Sequence, residues 1–212
     1  YKSQLLSSNM YLLISRKKTI IIDPHISKDA LTYIDNNLLK VDYIILTHEH
    51  YDHISGVSFF KKRYGCEVIC NKACAEAIHY PNLNFSKYFK VLMEIMPRNK
   101  GQASYVNIEP YSCFADIYFE QKFEFKWESH DFYLISTPGH SKGSICILLD
   151  NKYLFSGDSL IRDYPTITRL KGGSSKDYHN ITLKFLKSIS SEIIVFPGHY
   201  ESFTLGEKTI KL

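Results

Sequence analysis

Apolar and polar positions alternate with two periods along this chain, and they predict strands and helices in succession. Two short apolar runs at residues 10–14 and 19–22 flank a basic turn and read as a β-hairpin feeding Asp23-Pro24. Ser27 then has the chemistry of a helix N-cap, with Leu31, Ile34, Leu38 and Leu39 spaced for one helical face. Residues 43–46 read as a buried strand, 53–64 as a helix, 66–70 as a strand and 71–79 as another helix. This alternation predicts an α/β chain. Residues 81–110 are polar-aromatic without clear period, which predicts a functional loop or lid. Strands follow at 116–119, 122–125, 132–136, 144–149 and 152–155, the pattern of a β-meander. A helix over 174–188 and a strand over 193–196 close the pattern.

Length and composition narrow this picture to one domain over residues 1–212. The hydrophobic share of 44% is ample for a core. The net charge of +4 comes from scattered residues, with short clusters only at Arg16-Lys17-Lys18 and Lys61-Lys62-Arg63. Nucleic-acid binders concentrate charge more than this, so a nucleic-acid partner is disfavoured. No apolar run approaches the roughly 18 residues a membrane span needs, and no basic-then-apolar leader opens the sequence. The five cysteines form no CxxC pair. Reduced, buried thiols in a cytoplasmic protein are therefore expected. His25, His79, His130 and His179 lack ligand-like surroundings and read as surface or hydrogen-bonded residues.

The chemistry concentrates in Thr47-His48-Glu49-His50-Tyr51-Asp52-His53, directly after the apolar strand at 43–46. Imidazole nitrogen and carboxylate oxygen are the donors that zinc-like cations take, and crowding them at one strand end marks a metal site. Three later places repeat the order of apolar strand, turn and ligand. Residues 132–136 lead through Thr137-Pro138-Gly139 to His140, 152–155 through Ser156-Gly157 to Asp158, and 193–196 through Pro197-Gly198 to His199. Five histidines and two aspartates exceed what one tetrahedral zinc can use, so two divalent ions are expected, with one carboxylate bridging. Zinc is the first choice, with iron and manganese as the other candidates. Such a pair can hold a hydroxide between its ions and polarise a carbonyl or phosphoryl oxygen. Asp23 has the position of an outer partner to a ligand imidazole, or of a plain strand-end carboxylate.

The THEHYDH string at 47–53, TPGHSKGS at 137–144, SGDS at 156–159 and PGH at 197–199 together resemble metallo-β-lactamase-fold hydrolases, nearest the glyoxalase II-like branch. The resemblance implies a four-layer αββα sandwich with the site at one edge. It further implies one metal on His48, His50 and His140, the other on Asp52, His53 and His199, and Asp158 bridging. Asp52 would also orient the attacking hydroxide and accept its proton. The implied activity is hydrolysis of an ester-like bond in a small-molecule substrate, a thioester first. Its alternatives are a non-haem iron persulfide dioxygenase, a phosphodiesterase or nuclease, and a metal-binding protein without catalysis.

Departures from the family pattern bear on the substrate. The helical extension that helps glyoxalase II bind glutathione has no room in residues 200–212, so glutathione thioesters are not assigned. Relatives often carry a GRTDLPGGS-like stretch where this chain has Thr166-Ile167-Thr168-Arg169-Leu170-Lys171-Gly172-Gly173-Ser174. His25 replaces the usual glycine after Asp23-Pro24, and Tyr200 stands where a small residue is common. Tyr200, Lys142 and Arg169 lie beside ligands or in expected pocket loops and are the candidate substrate contacts.

Overall fold

A computed structural model describes residues 1–3, 7–95 and 108–207. The hairpin forms from β1 (Tyr11–Ser15) and β2 (Lys18–Ile22), in register from Tyr11 opposite Ile22 to Ser15 opposite Lys18. Helix α1 (Lys28–Asn36) follows, and Ser27 caps it by accepting from the Ala30 N–H. β3 (Lys40–Ile45), α2 (Tyr51–Ile54), α3 (Val57–Tyr64), β4 (Glu67–Asn71), α4 (Lys72–Ala77) and α5 (Phe89–Ile95) complete the first half. The second half runs through β5 (Ile117–Phe119), β6 (Lys122–Trp127), β7 (His130–Ser136), β8 (Ile145–Leu149) and β9 (Tyr153–Gly157). It ends with α6 (Ser175–Asp177), a π-helical turn at Tyr178–Thr182, α7 (Leu183–Ser188), β10 (Ile194–Pro197) and β11 (Phe203–Thr204).

The strands form two mixed sheets, one ordered β1-β2-β3-β4-β5 and the other β11-β10-β9-β8-β7-β6. The two-residue period of the strands sorts their side chains between layers. Ile20, Ile22, Ile45 and Ile69 of the first sheet meet Phe132, Leu134, Ile145, Ile147 and Phe155 of the second in one buried cluster. The alternate residues Ile21, Ile44, Val68 and Cys70 face away and pack with Ala30, Ile34, Val57 and Phe60 of α1 and α3. Cys146, Leu148 and Leu154 likewise leave the second sheet to pack on Leu186 of α7. The result is the expected four-layer αββα sandwich. Central strands covered on both faces read as nearly continuous apolar runs, and each fully buried Ile or Phe contributes about 1.5–3 kcal/mol.

Several expected boundaries move. The helical spacing puts Leu38 on the buried face of the first helix, yet it is 81% exposed. The helix ends earlier, in a Schellman motif: Leu38 takes the left-handed conformation at φ 51°, its N–H bonds to Asp35 O, and the Leu39 N–H bonds to Ile34 O at 3.0 Å. Leu39 then buries against Ile34, the contact such a motif favours. The helix expected over 53–64 is two helices, because the Gly56 N–H turns out to bond Pro24 O at 2.8 Å. β5 leaves the expected meander and pairs in parallel with β4, so the meander is β6 to β9. The stretch expected to be an aperiodic loop holds a 3-10 turn at Ser86–Tyr88 and α5. The remainder of that lid expectation, at 96–107, lies outside the described residues.

All five cysteines are buried and free. Among the described residues, no helix is long and apolar enough to cross a membrane.

Candidate metal centre

Five strand ends build the site. β2 and β3 run in parallel, as do β9 and β10, and β8 lies antiparallel to both β7 and β9. β7, β9 and β10 therefore point the same way and deliver Gly139-His140, Asp158 and Gly198-His199 from their C-terminal ends. β2 delivers Asp23 and β3 delivers residues 47–50, after which the single turn of α2 carries Asp52 and His53. The sheets are joined beside the site by the Ile145 N–H bonding to Thr47 O at 2.8 Å. Gly157 occupies its turn at φ 49°, and a Cβ there would stand 2.5 Å from Thr47 Oγ1, so a side chain would push the β3 and β9 loops apart.

The seven residues expected as ligands converge. Nitrogen and oxygen atoms of His48, His50 and His140 gather within 4.8 Å of one another, as do those of Asp52, His53 and His199. Between the two groups lies Asp158, whose Oδ2 is 3.6 Å from His140 Nε2 and 3.5 Å from His199 Nε2. Within the second group, Asp52 Oδ2 is 3.5 Å from His53 Nε2 and 3.4 Å from His199 Nε2. Five of the seven are buried, and the side chains of Asp158 and His199 are each 15% exposed.

Hydrogen bonds on the outer side fix which ring nitrogen faces inward. His53 Nδ1 lies 3.0 Å from Asp23 Oδ2, and His140 Nδ1 lies 2.9 Å from Ile167 O. Both partners are acceptors, so each Nδ1 carries the proton and each Nε2 presents a lone pair to the cleft. The His48 Nδ1 lies 3.1 Å from Thr47 Oγ1, whose hydroxyl donates to Asp23 Oδ2 at 2.5 Å. His48 Nε2 is buried without a hydrogen-bond partner among the described residues. A buried polar atom of that kind is costly unless something binds it, and a cation fits.

Electrostatics agree with a cation. Burial and the neighbouring imidazoles hold His48 far below its ordinary pKa, and burial with His140 brings His50 down to about 3, so both are neutral donors. At His53 burial acts downward too, but Asp52, the Asp23 hydrogen bond and Asp158 outweigh it and lift the ring to about 10. His199 is raised by Asp158 and Asp52 against its burial. Asp52 and Asp158 stay ionised despite burial, held down by the surrounding imidazoles. Carboxylates and imidazoles this close form a pocket for positive charge, and protons and metal ions compete for it.

Supporting residues escaped sequence reasoning. Ser8 Oγ donates to Asp52 O, and Asn9 Nδ2 donates to Pro197 O at 3.0 Å and Tyr200 O at 2.8 Å, pinning both ends of the second group. Tyr178, in the π-helical turn, lies against Gly139, and its hydroxyl meets Thr166 Oγ1 at 3.1 Å. Thr166 in turn donates to Ser159 O beside Asp158. The divergent stretch at 166–174 thus still supports the site, through the Thr166 hydroxyl and the Ile167 carbonyl. Of the candidate substrate contacts, Tyr200 flanks His199 at φ 69° and stacks on Tyr164 at 4.6 Å. Lys142 and Arg169 are exposed side chains on the loops around His140. His25 is buried, with its Nε2 3.4 Å from Tyr1 O, and His130 pairs with Asp150.

Fold and site together define a metal-binding αββα protein with its His/Asp clusters at one edge. The sequence pattern of the Metallo-beta-lactamase superfamily matches residues 4–199, and the chain belongs to that superfamily. Among curated relatives it is similar to a hydroxyacylglutathione hydrolase of Pelagibacter ubique, 26% identical over 89% of this chain and 65% of the relative, so it spans just under two thirds of that protein. It is also similar to a probable polyketide biosynthesis zinc-dependent hydrolase of Bacillus velezensis, 25% identical over 97% of this chain and 76% of the relative. Among solved structures it is similar to BLEG-1, a B3 metallo-beta-lactamase, with a TM-score of 0.76 and 26% identity over 95% of this chain and 91% of that one.

Proposed function

We propose that this protein is a binuclear metal-dependent hydrolase acting on an ester-like bond of a small molecule, with a thioester as the first substrate class. The observation that carries the reading is Asp158 Oδ2, equidistant within 0.1 Å from an imidazole of each group, at 3.6 Å and 3.5 Å. His48, His50 and His140 would hold one divalent cation, Asp52, His53 and His199 the other, and Asp158 would touch both. Zinc suits this set of imidazole and carboxylate donors. Bound there, two such ions supply water activation near neutral pH and polarisation of a carbonyl oxygen.

The chain's own groups do the rest. Asp52 is ionised, and an attacking water between the two groups would sit within reach of its carboxylate, which then orients that water and takes up its proton. Asp23, Thr47 and Ile167 keep the imidazoles in the tautomer that leaves Nε2 free. Tyr200, next to His199, and Lys142 and Arg169, on the loops around His140, would meet the remainder of the substrate. Relatives whose names specify hydroxyacylglutathione hydrolysis and zinc-dependent hydrolysis support the choice of an acyl bond and of zinc.

The test is a panel of thioesters, lactones, phosphodiesters and persulfides offered to zinc-loaded protein. Thioester cleavage is expected, lost by more than about 100-fold in both His48→Ala and Asp52→Ala, since removing a ligand costs more than removing its outer partner. Both variants should keep the wild-type circular dichroism spectrum. Undiminished turnover in either variant, or cleavage confined to another class of bond, would contradict the proposal.

A further inference from the structure

Glu49 is a buried carboxylate that the chemistry above leaves unused, only 4% exposed although it stands between two ligands. Its partners lie on the loop after β7. Ser141 Oγ donates to Glu49 Oε2 at 2.8 Å, and the Gly143 backbone packs against the same carboxylate. Ser141 and Ser144 close the turn on themselves, with their hydroxyl oxygens 2.8 Å apart and the Ser141 N–H donating to Ser144 Oγ at 3.1 Å. Gly143 leaves no space in this packing. A Cβ there would fall 2.5 Å from Glu49 Oε2 and 2.5 Å from the Cys74 N, so the loop sits directly on the carboxylate. The donor is the Ser141 hydroxyl, and a carboxylate oxygen is a side-chain acceptor of the right reach.

We infer that Glu49 is a positioning residue that staples the 47–50 loop to the turn following His140, and so sets the spacing of His48, His50 and His140. Those three come from just the two loops that Glu49 joins. Asp52, His53 and His199 are fixed by other contacts, those of Ser8, Asp23 and Asn9. Loss of the staple therefore weakens one cation site and spares the other. This rests on the reading that the two groups each hold a cation.

Zinc affinity measured by chelator competition, with no substrate present, tests it on wild type, Glu49→Gln and Ser141→Ala. Glutamine keeps the shape but turns an amide N–H toward the Ser141 hydroxyl, which itself donates. Two zinc ions are expected in wild type. In Glu49→Gln one site should weaken by roughly 10–100-fold, the range for outer partners of metal ligands, while the other is unchanged. Ser141→Ala, which deletes one donor and keeps the carboxylate, should weaken the same site by less, and it carries the test if Glu49→Gln does not fold. In a His48→Ala background, which removes that site, Glu49→Gln should leave the remaining affinity as it was. Two unchanged affinities, or both sites weakened alike, would overturn the inference while leaving the binuclear reading intact. A wild-type protein that binds no zinc would overturn the reading and the inference together.

Discussion

The carboxylate of Asp23 accepts from the ring of His53 at 3.0 Å, Oδ2 to Nδ1, and both side chains are buried. The same oxygen takes the Thr47 hydroxyl, whose oxygen lies beside His48 Nδ1. One anion at the end of β2 thereby holds an imidazole from each half of the centre. Its second oxygen accepts the Thr47 N–H at 2.7 Å, which ties the start of the ligand string to the hairpin.

Asp23→Asn should therefore lower zinc affinity at both sites, each by roughly 10–100-fold, in contrast to the one-sided effect of Glu49→Gln. Chelator competition resolves the two affinities. Wild-type affinity at both sites would show that Asp23 serves only the strand-end turn.

His25 gives a pH dependence. Burial lowers its pKa below the ordinary 6.5 although its ring also interacts with backbone acceptors at Tyr1 and Ile26, which act the other way. The unfolded chain then binds this proton more readily than the folded one. The group's contribution is present in full above pH 6.5 and is lost as pH falls through the lowered folded value. Thermal melts of wild type and His25→Gln between pH 7.5 and pH 5 should show the wild type losing stability more steeply on acidification, since the other histidines are common to both. Parallel curves would refute this.

The thiols give another. Burial pushes Cys66 up to about 11 and both Cys113 and Cys146 up to about 12, and it raises Cys74 well above the ordinary thiol value. The thiolate is the reactive form, so native protein at neutral pH should give no prompt signal with a disulfide reagent, and five equivalents after denaturation. A fast-reacting thiol in the native protein would contradict the buried, reduced arrangement.

The seven converging residues are legible because each is announced locally. A buried strand, a turn residue and a His or Asp occur within a few positions at 132–140, 152–158 and 193–199, and the 47–53 string is denser still. Ser27 likewise signals α1 through its own side chain. What escaped depends on partners distant in sequence. The pattern groups β5 with the strands that follow it, yet its place is decided by pairing with Ile69, Cys70 and Asn71. Leu38 lacks the glycine that usually marks a left-handed helix end, so nothing in its type betrays the stop. Glu49 looks like one more polar residue in the string until Ser141 is brought against it. Asn9 and Tyr178 act on loops more than a hundred and about forty residues away, respectively. Lys142 and Arg169 remain exposed, where a substrate contact and simple solvation share one appearance.

Anomalous diffraction at the zinc edge, from crystals of zinc-loaded protein, reaches the central claim most directly. Two peaks are predicted, roughly 3.5–4 Å apart. One should touch His48, His50 and His140, the other Asp52, His53 and His199, with Asp158 in contact with each. A single peak, or peaks bound away from these seven side chains, would contradict the binuclear account.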